Sequence, residues 1–274
     1  MMEQRPDQKL LDLPRSETMP FIFVGHGNPM NAILDNEFGR EWARVGSELP
    51  RPTAILCISA HWLTPGSTQV TAMDLPKTIH DFGGFPQDLF DMQYPAPGAP
   101  DYAQKTIELI RKTEVIEDYR WGIDHGTWSV LVKMFPDADI PVYQLSMDYS
   151  REPQYHYDLA TELAELRNHG VLIIGSGNLV HNLGMLGSGG TSPDWALEFD
   201  ELMKDHIDRG NHKGVIDFLK LGPVAKLAHP THEHFLPLLY SLGLRTDRDE
   251  ITYFNDSFDF GSISMRSVLA VPAS

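Results

Sequence analysis

The chain reads as an α/β protein: a single domain whose central, mostly parallel or mixed sheet is flanked by helices. Three features predict this. Short apolar runs at 21–24, 54–62 and 171–174 are bounded by Pro, Gly and polar turns, as expected of strands buried on both faces. Segments of helical texture alternate with them along the chain. Each run also leads into small residues and then a histidine: Gly25-His26-Gly27, Ser59-Ala60-His61, and Gly175-Ser176-Gly177 followed by His181. In open α/β sheets the C-terminal ends of the strands face the ligand crevice, so these histidines are expected along one sheet edge.

Taken in order, residues 1–20 are polar and carry Pro6, Pro14 and Pro20, which predicts a loosely held arm ahead of one domain over 21–274. After the strand at 21–24, Gly25 to Pro29 form a turn, and 30–49 have helical texture around Trp42 and Val45. The central strand at 54–62 is opened by Arg51-Pro52 and closed by Thr64-Pro65-Gly66, and 70–73 suit a short extra strand. Residues 76–100 mix Gly, Pro and aromatics without periodicity; a loop this long is usually functional or a lid.

A helix is expected over 102–112, with Ile107 and Ile110 on its apolar face, and another from Asp124 to Met134. Residues 141–145 suit a strand. The clearest helix is 155–168, where Leu159, Leu163 and Leu166 recur at helical spacing and Gly170 stands at the C-cap. Beyond the strand at 171–174, residues 195–208, 213–219 and 236–242 read as helices, and 251–254 and 262–268 as closing strands.

Composition narrows the function. The formal net charge of −16 argues against nucleic acid as a partner, because phosphate neutralisation needs clustered Lys and Arg. It also disfavours adhesion to anionic membrane, and association driven by basic patches. No apolar run approaches the roughly 20 residues that span a bilayer, so a cytoplasmic protein is expected. The single cysteine, Cys57, lies inside the central strand and reads as a small core hydrophobe, which excludes a disulfide framework.

The twelve histidines are unevenly placed. Imidazole is both the common protein ligand of Zn and Fe and the usual acid/base near neutral pH. His26 sits between two glycines, His61 ends the central strand beside Trp62, and His181 follows a glycine-rich strand exit. Together they suit a metal site at the C-terminal edge of the strands. Gly175-Ser176-Gly177 lacks the spacing and the lysine of a phosphate-cradling loop, so nucleotide binding is set aside. His125, in D-H-G-T-W, sits where a loop enters a helix. His229, His232, Glu233 and His234 crowd A-H-P-T-H-E-H-F, of which one or two are expected to bind; the spacing is not that of a zincin. His80 in the aromatic loop can meet a substrate, whereas His156, His169, His206 and His212 read as surface residues.

Seven ordered blocks, G-H-G-N-P-M-N-A at 25–32, S-A-H-W at 59–62, T-I-H-D-F-G-G-F-P at 78–86, Y-P-A-P-G at 94–98, D-H-G-T-W at 124–128, G-S-G-N-L-V-H-N at 175–182 and P-T-H-E-H-F-L-P-L at 230–238, resemble the class III extradiol ring-cleavage dioxygenases, specifically the DOPA 4,5-dioxygenase-like subfamily. The resemblance runs from about residue 20 to the C-terminus. It implies His26, His61 and His234 as metal ligands, with His181 as a further ligand or an acid/base and His125 as a histidine facing the substrate. Better-known members use two histidines and a glutamate, which keeps Glu233 as the alternative to His234.

The implied reaction is 4,5-extradiol cleavage of a catechol such as DOPA with O2, giving a muconic semialdehyde. Fe(II) is the implied ion for activity, and Zn(II) one that the same site would hold. Ring cleavage needs an ion with several open positions, and neutral histidines leave it net positive, which favours a catecholate. His125 and His181 are the candidates for taking and returning the proton. His80, Phe82, Phe85 and Tyr94 are candidates for closing over the ring. Two rivals remain at this level: a zinc hydrolase on the same histidines, and a metal-binding protein without activity.

Overall fold

In a computed structural model, which describes residues 13–187 and 191–273, the first half of the chain contains β1 (Phe21–Gly25), α1 (Glu37–Glu48), β2 (Ala54–Ser59), β3 (Thr68–Thr71), α2 (Gln87–Phe90), α3 (Pro100–Leu109), β4 (Val115–Asp118), α4 (His125–Met134) and β5 (Val142–Gln144). The second half contains α5 (Pro153–Thr161), β6 (Val171–Gly177), α6 (Asp194–Asp208), α7 (His212–Ile216), α8 (Pro223–Ala228), α9 (Leu236–Gly243), β7 (Asp249–Phe254), β8 (Phe258–Asp259), β9 (Ile263–Ser264) and β10 (Ser267–Pro272). Six strands form one mixed sheet in the order β5-β2-β6-β1-β10-β7. Its first four strands are parallel, and β10 runs antiparallel to both neighbours. This is the predicted α/β architecture.

Alternation along the strands builds two cores. Phe21, Phe23, Leu56 and Ile173 face one layer, with Leu159 of α5 and Leu239 of α9. Ile22, Val24, Ile55, Cys57 and Ile174 face the other, with Trp42 of α1 and Trp128 of α4. Register then aligns the strand exits. Gly25 lies opposite Gly177, and Ser59 opposite Ser176, so β1, β6 and β2 end at one level. Among the described residues, no helix is long and apolar enough to cross a membrane.

Several elements differ from the sequence reading, each for a local reason. The helix expected over 30–49 is a 3₁₀ turn, Pro29–Ala32, followed by α1, because the Asn36 side chain caps α1 by accepting from Gly39 N. The helix expected over 155–168 stops at Thr161 and resumes as 3₁₀ turns, Ala164–His169, closed by Gly170 at φ 75°. The strand expected over 262–268 is two pieces. Between them Arg266 turns inward to Asp200, and β10 begins only at Ser267. The V-I-E-D strand β4, which pairs in parallel with β3, carries too little apolar signal to be foreseen.

The arm expected over 1–20 falls partly outside the described residues. Its described part, 13–20, is tied down: Ser16 N and Met19 N donate to Asn168 O and Arg167 O, and Arg167 Nε donates to Met19 O. Within residues 76–100, the stretch 77–79 is strapped to the segment that enters α4. Ile79 N donates to Ile123 O, Ile123 N to Lys77 O, and Trp128 Nε1 to Ile79 O. His156 and His169, read as surface residues, are buried; His156 Nδ1 pairs with the Tyr240 hydroxyl.

Candidate metal centre

Five imidazoles converge at the shared strand exit. His26 follows β1 directly, its N–H donating to Gly177 O. Gly27 beside it has φ 58°, a backbone in which a side chain is strained, and a Cβ there would displace the Met265 side chain, whose Sδ lies 2.3 Å away. His61 lies just past β2, its N–H directed at Ser59 Oγ. His125 opens α4, which is capped by the buried Asp124; that carboxylate also accepts from Ser59 Oγ and Gln144 Nε2. His181 is anchored by its N–H to Ala228 O, and the His234 carbonyl accepts from Asn178 N, clamping it to the end of β6.

The ring centroids of His26, His61 and His234 form a nearly equilateral triangle, at 5.0, 5.2 and 5.1 Å. His26 Nε2 and His61 Nε2 are 3.2 Å apart. Two metal-bound nitrogens, each about 2.1 Å from an ion at angles of 90–109°, stand about 3.0–3.4 Å apart. The Nδ1 contacts indicate that both Nε2 atoms carry lone pairs. Ser176 Oγ donates to Gly126 O and therefore accepts from His26 Nδ1 at 2.9 Å, while His61 Nδ1 faces Asp81 Oδ2 at 3.3 Å. Two lone pairs facing each other at this distance repel unless a cation lies between them, so the residues fit a metal ion. His234 is oriented likewise, by Nδ1 to Glu233 Oε1 at 3.0 Å. Glu233 thus stands behind His234 as its hydrogen-bond partner.

The other two rings flank the triangle. His125 lies 3.9 Å from His61 between centroids, and the donor atoms of His26, His61 and His125 all fall within 4.8 Å of one another. Its Nδ1 is buried, 3.0 Å from Asp81 Oδ1 but poorly aligned for a hydrogen bond. His181 stacks on His234 at 3.5 Å and 7°. Imidazole binds metal in its ring plane, and an ion in the plane of His234 would lie well above that of His181. The stacking favours an acid/base role for His181, and donor atoms of His181, Glu233 and His234 also lie within 4.8 Å of one another, a second set that could hold an ion.

Burial, reinforced by mutual repulsion with the other rings, holds His26 and His234 well below the ordinary imidazole pKa. Burial brings His61 to about 3, with Asp81 partly opposing, and His181 to about 4, with Glu233 partly opposing. All four are neutral at pH 7, the form that binds metal or accepts a proton. For Asp81, burial pushes upward, but the contacts with His125 and His61 prevail and bring it to about 2. It is the anion of the cluster.

Of the substrate candidates, Phe82 reaches the site, its ring 5.4 Å from His125 and nearly perpendicular to it. His80 is held by Nε2 to Met92 O and packs on Trp128. Tyr94 does not reach it. It is buried, and its hydroxyl donates to Phe135 O, beyond the far end of α4 from His125. His229 is a core residue bonded to Leu179 O, and His232 stacks on Tyr149. Asp81 and Ser176, partners of the histidines, carry no signal of that role in the sequence. Asp81 lies within the quoted I-H-D-F block, and Ser176 between the two glycines of a strand exit. A surface cleft of about 960 Å³, lined by Glu17, Arg167, Arg248 and Pro272, contains none of these histidines and is remote from the chemistry.

Known proteins share this arrangement's frame. The chain is 47% identical over 259 residues to 4,5-DOPA dioxygenase extradiol of Escherichia coli (strain K12), covering 92% of this chain and 95% of that protein. It is 37% identical over 258 residues to the protein of the same name from Beta vulgaris, covering 90% and 94%. The crystal structure of an uncharacterized Escherichia coli K12 protein superposes with a TM-score of 0.80 at 41% identity, covering 92% of this chain and 99% of that one. These relatives favour a dioxygenase over a hydrolase. The family described as the catalytic LigB subunit of aromatic ring-opening dioxygenase matches residues 21–263, so the chain belongs to that family of ring-opening enzymes.

Proposed function

We propose that this chain is an Fe(II)-dependent extradiol dioxygenase that opens a DOPA-like catechol at its 4,5 bond. Both atoms of O2 enter the product, a muconic semialdehyde. The observation that carries this reading is the triangle of His26, His61 and His234 with two further histidines beside it. Relatives named for DOPA cleavage support the substrate class. Residues 21–274 are proposed as the catalytic domain.

His26, His61 and His234 would hold the ion, which supplies a Lewis-acidic centre for catecholate and O2 when bound. His125 and His181 serve as proton carriers on two sides of that centre. Being neutral at pH 7, His181 can accept a proton from a catechol hydroxyl or pass one on. His125 faces the same space beside Phe82, whose ring offers the aromatic substrate an apolar wall. Phe82 packs against the rings of Phe85, Phe90 and Trp128, which extends that apolar wall beside the site. Zn(II) suits the same nitrogens and is expected to bind without supporting turnover.

The test is anaerobic reconstitution with Fe(II), followed by L-DOPA and air, with absorbance and oxygen uptake recorded together. A yellow product and one O2 consumed per catechol are expected. Confirmed Fe(II) binding without turnover of L-DOPA or simple catechols would overturn the reading.

A further inference from the structure

The geometry points to Asp81 as a positioning residue that fixes the tautomers of His61 and His125 together, leaving the Nε2 lone pair of each toward the cleft. The inference deepens the function proposed above and rests on it. Asp81 presents one oxygen to each ring: Oδ2 is 3.3 Å from His61 Nδ1, and Oδ1 is 3.0 Å from His125 Nδ1. Oδ1 also accepts the backbone N–H of His125 at 3.0 Å, which anchors the carboxylate at the start of α4.

A carboxylate can only accept hydrogen bonds. A nitrogen lone pair 3.0 Å from an anionic oxygen would be repelled, so each facing Nδ1 carries the ring's hydrogen even where the N–H is not well aligned. Catalytic hydrogen bonds are often loose before ligands bind and tighten afterwards. Among the described residues, His125 Nδ1 has no well-aligned hydrogen-bond partner, and the Asp81 carboxylate is the group it faces. An imidazole whose single N–H sits on Nδ1 leaves Nε2 as its acceptor. In His61 that atom is the one 3.2 Å from His26 Nε2, and in His125 it is left free for a substrate proton. His26 takes its orientation from Ser176 and His234 from Glu233, one partner to one ring. Asp81 alone of these partners serves two, linking a metal ligand to a proton carrier.

The rival account is that Asp81 merely caps α4. Asp124 already supplies that cap, through Thr127 N. Pure capping predicts lost stability with unchanged tautomers and unchanged metal affinity.

Zinc-loaded, diamagnetic protein labelled with ¹⁵N-histidine allows a direct test, because long-range ¹H–¹⁵N correlation reads which nitrogen carries the hydrogen. The wild-type spectrum, assigned with His61→Gln and His125→Gln, is expected to show Nδ1–H for both rings. In Asp81→Asn one oxygen becomes an NH2 donor, and one ring must turn over to Nε2–H. If that ring is His61, zinc affinity measured by chelator competition falls roughly 10–100-fold. If it is His125, zinc affinity holds while kcat of the iron enzyme falls and KM changes little. Either outcome supports the inference. It is overturned by Nε2–H on His125 in the wild type, or by an Asp81→Asn protein with unchanged tautomers, zinc affinity and kcat. Should Asp81→Asn fail to fold, the wild-type spectrum decides alone. Expected tautomers in a protein that cleaves no catechol would refute the dioxygenase reading and leave the positioning of these two rings by Asp81 standing.

Discussion

Gly126→Ala sets helix propensity against metal geometry. Gly126 is the second residue of α4, and its φ lies outside the left-handed region, so alanine can adopt the backbone. By propensity alone, Gly→Ala inside a helix stabilises by about 1 kcal/mol, and somewhat less near an end. A Cβ at this position, however, would lie 2.8 Å from His61 Cδ2 and 2.6 Å from Ser59 Oγ. Since ordinary contact begins at 3.4 Å, the His61 ring must withdraw by about 0.6 Å. Ser59 Oγ is nearer still and must give as well, which strains its bond to Asp124 and offsets the propensity gain. Displacement on this scale at a metal site costs about 10–100-fold in affinity, or about 1.4–2.7 kcal/mol. Zinc competition should therefore show weakened binding, while urea denaturation of the metal-free protein changes by less than about 1 kcal/mol. Undiminished zinc affinity with a well-folded Gly126→Ala protein would refute the claim that this glycine exists to leave room for His61.

Three further outcomes follow from the same geometry. His234→Ala should abolish tight Fe(II) or Zn(II) binding, whereas His125→Ala should keep the ion and lose turnover; chelator competition and oxygen uptake separate the two. Tyr94→Phe should leave KM for L-DOPA unchanged and cost about 1 kcal/mol of stability in urea, since its hydroxyl serves Phe135 O. At Asp249, burial raises the carboxyl pKa, but the Arg167 and Thr246 bonds outweigh it and hold the group below the usual range. A folded pKa below the unfolded value of about 3.9 gives stability that is present above that value and lost as pH falls through the folded one. The stability gap between wild type and Asp249→Asn in urea should therefore shrink between pH 6 and pH 3.

The parts of the fold legible in the sequence are those governed by local pattern. Strands β1, β2 and β6 are buried on both faces and so read as unbroken apolar runs, and the histidines at their exits inherit their position from the sheet. His125 was legible because Asp124 and Thr127 mark a helix start. The rest of the site is set by chain path. Asp81 meets His125 across 44 residues of sequence, from a segment with no periodicity. Tyr94 shares that segment and its aromatic character, yet its hydroxyl is carried away from the site. His156 and His229 are buried all the same, each with one ring nitrogen paired, to the Tyr240 hydroxyl and to the Leu179 carbonyl.

The same division separates the ligating rings from the groups that aim them. His26, His61 and His234 have different Nδ1 partners, Ser176, Asp81 and Glu233, drawn from a strand, a loop and the neighbouring residue. Each partner sets which ring nitrogen is bare, and a bare Nε2 is what a cation requires. A chain that kept all five histidines but placed an apolar residue at each of these three positions would still carry every ring of the site. Its imidazoles would be free to take either tautomer, and hydrogens on Nε2 would compete with the ion for the same lone pairs. The capacity to hold metal in this protein therefore resides as much in Ser176, Asp81 and Glu233 as in the histidines that mark the site.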